Sequence, residues 1–278
     1  MRTLQETIDR MNNKGGAASS LRKHLSAEGV GIYDWEDLTR SKLYDLKDHL
    51  SKTVSIGTQK TVMANLRSIM NRVKDEVKFP DDFATIMNVK PDSPRATYLT
   101  LEELRAFEAV ETKNKTEKIV QVESLIEAFT GARLSDVMTF TEENFSEGYL
   151  IYTAQKTKKT ATVPLSEKTK GWIRYAQENR GDEPCLMQRG RIIKRLAKRA
   201  GITKTVKTRR GSVDKVTEKW EVLSSHSMRR SCATNLVMAG ASLTDAKLCM
   251  GHSNESMTSR YVVATVPNLS AAAMKYFL

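Results

Sequence analysis

Apolar residues along the first ninety positions recur at helical spacing, with polar residues filling the gaps. Leu4 to Met11 predicts a short helix, broken at Asn12-Asn13-Lys14-Gly15-Gly16. Leu21 and Leu25 stand one turn apart in a second helix, about Ala17 to Glu28, which Gly29 stops. Asp34 is placed to cap the next helix, where Leu38, Leu43, Leu46 and Leu50 recur. Ile56 to Val77 carries Val62, Leu66, Ile69, Met70 and Val73 on one stripe, and Lys60, Arg67 and Lys74 on the opposite face. Residues 1–88 therefore read as a four- or five-helix bundle that turns its charge outward.

The pattern changes between Pro80 and Pro94, where three prolines disfavour helix. Asn88 to Thr97 reads as a linker. Thr100 and Glu103 form a capping box, so a helix starts at about Leu101. Residues 117–140 carry a long helical pattern that Gly131 ends and Ser135 restarts. The period then shortens. Tyr149 to Thr153 and Thr160 to Val163 are β-favouring runs around the basic segment AQKTKK, which predicts a hairpin with lysines at its tip and a stop at Pro164. Helix resumes near Ser166. Arg189 to Ala200 is basic and amphipathic, with Ile192, Ile193, Leu196 and Ala197 on its apolar side. For residues 203–222 a second hairpin and a mobile loop fit equally well. His226 to Ala239 and Ser242 to Met250 read as helices separated by Gly240, and Pro267 to Leu278 as a short apolar amphipathic segment. The fold class is mainly α with a small β-sheet (α+β), in two domains over 1–90 and 98–278.

Charge adds a partner to this picture. The chain of 278 residues carries a net charge of +12. From Arg189 to Lys219 there are twelve Lys or Arg against two acids, Asp214 and Glu218. A surface of that sign attracts polyanions. Three cysteines without CxxC spacing argue against a disulfide frame or a zinc site and for a reducing compartment. No run of eighteen apolar residues suggests a membrane span, and the first residues lack the apolar core of a secretory signal. A cytoplasmic protein is the expectation, and a basic surface alone does not make its partner a nucleic acid.

Candidate chemistry gathers near the C-terminal end. His226 and Arg229 lie three residues apart at a helix start, on one face. Gly251-His252 ends the next helix, where glycine supplies a left-handed turn and the histidine projects from a fixed corner. Tyr261 follows nine residues after that histidine, in SRYVV. Each residue alone has an ordinary explanation as cap, basic face or core. The ordered set is specific, because metal-free phosphodiester cleavage needs a nucleophile, fixed cations for the non-bridging oxygens, and a proton for the leaving oxygen.

HSMRR, MGHSN and SRY in this order resemble the C-terminal signature of the tyrosine recombinases, the phage integrase family. Two earlier motifs extend the likeness: Thr130-Gly131-Ala132-Arg133-Leu134-Ser135-Asp136, and the hairpin opened by Gln155-Lys156-Thr157 and closed by Val163-Pro164-Leu165. Together they cover about residues 98–265, in a form most similar to integrases of mobile elements.

The resemblance implies a helical core-binding domain ahead of a mixed α/β catalytic domain, the two clamping duplex DNA. It implies that Tyr261 attacks the scissile phosphate to give a 3′-phosphotyrosine, that Arg133 and Arg229 clamp phosphate oxygens, and that His252 donates a further hydrogen bond. Lys156 is the acid toward the leaving 5′-oxygen, favoured by family spacing over Lys158 and Lys159. His226 assists proton transfer, and Asp136 orients the site. No metal, cofactor or ATP is needed. Partners are double-stranded DNA and three further copies in a tetramer on two sites, with accessory DNA-bending factors as additional partners. Candidate DNA contacts are Lys60, Arg67, Lys158, Lys159, Lys204, Lys207, Arg209 and Arg210. Tyr276 lacks the nine-residue spacing and reads as packing; no arm-binding domain is expected ahead of the first helices. Leu269 to Leu278 reads as a tail docking in cis or on a neighbouring subunit. Alternatives are a type IB-like topoisomerase, a telomere resolvase, and a DNA-binding protein of this fold without catalysis.

Overall fold

The computed structural model describes residues 2–10, 16–89, 97–181, 183–210, 213–259 and 261–262. The chain groups into two units, residues 1–95 with 207–215, and 96–206 with 216–278.

The first unit is helical: α1 (Leu4–Asp9), α2 (Ala17–Leu25), α3 (Arg40–Thr53), α4 (Ile56–Val73) and α5 (Phe83–Ile86). Side-chain oxygens of Thr3, Thr39 and Ser55 cap α1, α3 and α4. Asp34 caps a short 3-10 turn at Trp35–Asp37 instead of the long helix that follows. The stripes predicted from spacing meet in one core, where Leu21, Leu25, Leu43, Leu46, Leu50, Leu66 and Met70 are fully buried. Each such side chain contributes roughly 1.5–3 kcal/mol of transfer free energy. Both α2 and α4 stop short of the expected ends at Glu28 and Val77.

The second unit contains α6 (Leu101–Ala109), α7 (Lys115–Thr130), α8 (Leu134–Val137), β1 (Phe145–Ser146), β2 (Tyr149–Thr153), β3 (Thr160–Pro164), α9 (Glu167–Glu178), α10 (Leu186–Arg199), the outer ends of β4 (Thr205–Arg210) and β5 (Val213–Glu218), whose residues 207–215 group with the first unit, and α11 (Ser225–Met238), α12 (Leu243–Met250) and α13 (Glu255–Ser259). The helix α7 packs against α6, α9, α10 and α11. It is buried on nearly every side, which is why its sequence shows no clean polar face. Its polar residues are therefore paired internally. Gln121 donates to the carbonyls of Phe107, Glu108 and Val110, Glu117 meets Arg199 at 3.0 Å, and Glu123 meets Arg189 at 2.6 Å.

β1, β2 and β3 form an antiparallel sheet in that order, with Leu150 opposite Val163 and Tyr152 opposite Ala161. These four face the core, and alternate residues face out. The short β1 is too brief to leave a periodic signal in the sequence. β4 and β5 pair as a second hairpin, which decides between the two readings of 203–222. The expected basic stretch is not all surface: Arg189 is buried against Glu123, and buried Lys219 meets Glu103 at 2.5 Å. Among the described residues no helix is long and apolar enough to cross a membrane.

Candidate active site

The site is assembled from helix ends. α7 closes on Gly131, whose φ of +69° is left-handed and whose amide donates to the Glu127 carbonyl. A Cβ at 131 would lie 3.1 Å from both Cys232 Sγ and Met250 Cγ, so glycine is required by conformation and by space. The chain then turns into α8 with Arg133 at its N-cap position. Arg133 is half-buried, and its Nη1 is a buried donor with no acceptor among the described residues.

Arg229 rises from the first turns of α11 and is 1 % exposed. Its guanidinium donates to the carbonyls of Gly131 and Met250, the latter at 2.8 Å, and approaches His252 Nε2 at 2.8 Å. Both carbonyls lie at C-terminal helix ends, where backbone acceptors are otherwise unpaired and the helix dipole is negative. The sequence thus delivers a buried cation to the place where two helices can hold it. Its Nε, like Nη1 of Arg133, has no acceptor among the described residues.

Gly251, at φ +58°, ends α12 and sends the chain back to His252. That ring is 5 % exposed, with Nδ1 3.0 Å from the Thr258 hydroxyl. Tyr261 follows α13. Its backbone is held by Thr258 and by the Thr234 hydroxyl, and its ring lies against two histidines. The centroid distances are 4.9 Å to His226 and 5.1 Å to His252, and the Arg229 guanidinium stands 5.5 Å from the ring centre. Burial, then Arg229, Arg133 and His226, pushes His252 down to about 4. His226, open to solvent on one side, is also pushed down to about 4, by desolvation and then by Arg230, Arg229, Arg133 and Lys156. Both rings are neutral at neutral pH.

Lys156 sits in the turn joining β2 to β3, exposed, with anchored neighbours on either side. The Gln155 amide donates to Asp136 Oδ1 at 2.9 Å, its side chain donates to the Ser135 carbonyl, and the Thr157 hydroxyl donates to the Gly251 carbonyl at 3.0 Å. The turn is therefore tied to the helix after Arg133 on one side and to the corner before His252 on the other. Asp136 is 1 % exposed and acts on the hairpin, with no direct contact to Arg133 side-chain atoms among the described bonds.

Arg133, Arg229, His226, His252, Tyr261 and the Lys156 turn thus converge from segments almost 130 residues apart. The lysines of the tip, Lys158 and Lys159, are exposed, as are Lys204 and, in the first unit, Lys60, Arg67 and Lys207. Arg209 and Arg210 lie on β4, but their side chains are outside the described part. Tyr276 and Leu269 to Leu278 lie outside the described residues, as does most of the predicted linker.

Three participants escaped sequence reasoning. Thr258 orients His252, Glu127 accepts a hydrogen bond from Ser225 at 2.6 Å beside His226, and the buried Tyr152 hydroxyl lies within the electrostatic reach of Arg229 and Arg133. Burial raises the Tyr152 phenol well above its ordinary value. Only Glu127 left a trace in the sequence: α7 carries acids within an apolar run, a pattern that demands internal partners.

Known proteins resemble this chain in sequence or in fold. The tyrosine recombinase XerD of Oceanobacillus iheyensis is 24% identical over 271 residues, covering 87% of this chain and 83% of its own. XerD of Yersinia pestis is 25% identical over 256 residues, covering 82% and 80%. A lambda integrase fragment, solved as a dimer bound to a COC' core site, superposes with a TM-score of 0.67 at 18% identity over 94% of this chain and 95% of that one. The Tn1549 transposon integrase in complex with a circular intermediate DNA gives 0.67 at 16% identity over 100% of both chains. These two share the fold. The family model for the phage integrase family matches residues 98–266, more than half of the sequence and the whole of the convergent site as far as Tyr261, and the chain accordingly belongs to the phage integrase family of tyrosine recombinases.

Proposed function

We propose that this chain cleaves and rejoins DNA strands at specific sites, with Tyr261 as nucleophile. The observation that carries this is the setting of the Tyr261 ring, between His226 and His252 and beside the Arg229 guanidinium. The Tyr261 oxygen bonds to phosphorus as the bond to the 5′-oxygen breaks, leaving a 3′-phosphotyrosine. Arg133 and Arg229 hold the non-bridging oxygens; their buried N–H groups, unpaired among the described residues, suit an anion that brings its own acceptors. His252 donates to the same phosphate. His226, neutral near pH 7, takes the phenol proton, and Lys156 gives one to the leaving oxygen. The phosphotyrosine keeps the energy of the broken bond, so rejoining needs no ATP.

Residues 1–90 are the core-binding domain and 98–278 the catalytic domain with its tail. Lys60, Arg67, Lys158, Lys159, Lys204, Lys207, Arg209 and Arg210 meet DNA phosphates, where contacts position the duplex without reading its sequence. Four copies act on two sites; the lambda integrase tetramer bound to a Holliday junction, of like fold, supports this assembly. The test is covalent trapping on a nicked suicide duplex. The wild-type chain forms an adduct, and Tyr261→Phe forms none while still binding DNA. An adduct in the Phe variant removes the nucleophile assignment. Joining of two sites, as opposed to relaxation of a supercoil alone, separates recombinase from topoisomerase.

A further inference from the structure

α7 and α11 are joined by two rungs one helical turn apart. Ser225 Oγ donates to Glu127 Oε1 at 2.6 Å, and the Arg229 guanidinium donates to the Gly131 carbonyl. Four residues separate the partners on each helix, 127 from 131 and 225 from 229, so both rungs use the same face of α11. The second rung belongs to the site already described. The first lies behind it: Glu127 is 1 % exposed, and Ser225 directly precedes His226.

We infer that Glu127 is a positioning residue for strand cleavage, holding the first turn of α11 through Ser225 so that His226 lies against Tyr261. This rests on the recombinase reading above. A single rung at Arg229 leaves the helix free to rotate about that point, and the Ser224–Ser227 capping box closes the first turn of α11 on itself without tying it to α7. A second rung one turn earlier fixes the rotation. The groups facing Glu127 suit this task. Ser225 and Arg229 face it from α11, Glu123 from its own helix, and Arg189 from α10. Arg189 pairs with Glu123 at 2.6 Å, both about 2 % exposed. The Glu127 carboxyl, buried beside a second carboxylate, is pushed up to about 8, and is a neutral acid at neutral pH. A neutral acid has the hydrogen-bonding pattern of an amide, so glutamine should replace it.

Four variants test this: Glu127→Gln, Glu127→Met (equal volume, no acceptor), Ser225→Ala, and the Met/Ala double. Adduct formation is followed in a single turnover, with the His226 ring signals recorded by NMR without DNA. Gln should stay within about threefold of wild type. Met and Ala alone should each slow cleavage by about tenfold, the worth of one buried hydrogen bond, and the double should be no slower than the slower single. DNA affinity should not change. The His226 signals should stay sharp in Gln and broaden or multiply in Met. Cleavage at the wild-type rate in Met, a Gln variant as slow as Met, or losses that multiply in the double would overturn the inference. If the wild-type chain forms no adduct, the recombinase reading fails. The His226 signals then judge the rung alone, and an unchanged spectrum in Met rejects it.

Discussion

Arg229 donates to His252 Nε2 across 2.8 Å, which fixes the tautomer of that ring. A guanidinium only donates, so Nε2 accepts, and the proton of the neutral imidazole sits on Nδ1. Nδ1 then donates to the Thr258 hydroxyl at 3.0 Å. To donate from Nε2 to a phosphate, His252 must acquire a proton there. Nitrogen-detected NMR of the DNA-free chain at pH 7 should find the Nδ1–H form. Thr258→Val, nearly isosteric, should keep this tautomer, because Arg229 still donates to Nε2, but loosen the ring and slow cleavage by about tenfold. An Nε2–H ring in the wild-type chain would refute the assignment.

Stability should depend on pH through the groups of the same cluster. Glu127 keeps its proton to about pH 8 when folded, whereas an ordinary glutamate loses it near 4.5. The folded chain therefore holds the extra proton in that window, and stability falls there as pH rises. His226 and His252 act in the opposite sense. Their folded values of about 4 lie below the ordinary 6.5, so the unfolded chain holds the extra protons and stability climbs with pH across that range. Two rising contributions against one falling give a maximum near pH 6.5. Thermal unfolding between pH 4 and 8 should show it. Glu127→Gln should keep the rise and flatten the decline.

Gly131 is predicted to tolerate no side chain. Alanine there adopts a left-handed conformation and meets Cys232 and Met250 at 3.1 Å. Gly131→Ala should lose about 1–3 kcal/mol in urea denaturation, and lose cleavage by more than the fraction unfolded explains, because its carbonyl holds Arg229. A stability equal to wild type would show that the turn is softer than its geometry implies.

The Lys156 turn offers a separable test. Asp136→Ala and Thr157→Val each cut one anchor of the hairpin without touching the lysine. Each should slow cleavage by about tenfold at unchanged DNA affinity, while Asp136→Asn, which keeps an acceptor for the Gln155 amide, should stay within about threefold. Equal losses in Asn and Ala would assign the effect to the charge of Asp136.

Lys204, just before β4, and Lys207, on it, are both exposed. Replacing either by alanine should weaken DNA binding evenly across sequences and lower the salt slope of the affinity by about one per residue. A change confined to one sequence would instead indicate contact with a base edge.

Much of this was legible because helix ends and apolar stripes are local signals. The Thr100–Glu103 box, the Gly131 and Gly251 stops and the lysine-tipped hairpin were each read within a few residues, and the structure has them all. The site motifs were legible by their order. What stayed hidden depends on pairing across distance. Nothing near Arg189 indicates that its charge is spent on Glu123, 66 residues earlier. Nothing near Ser225 indicates Glu127, and Asp34 and Thr39 are equally good caps until the chain chooses which turn each begins.

The two carbonyls that hold Arg229 belong to the main chain. No side-chain replacement can delete an acceptor of that kind; it can only push it aside. The grip on this cation is therefore insensitive to the chemistry of its neighbours and sensitive to their bulk. Its weak points are Gly131, where an added carbon meets Cys232 and Met250 at 3.1 Å, and Gly251, whose left-handed backbone disfavours any side chain. Sequences around the site are free to drift far in polarity and remain able to hold the same arginine in the same place.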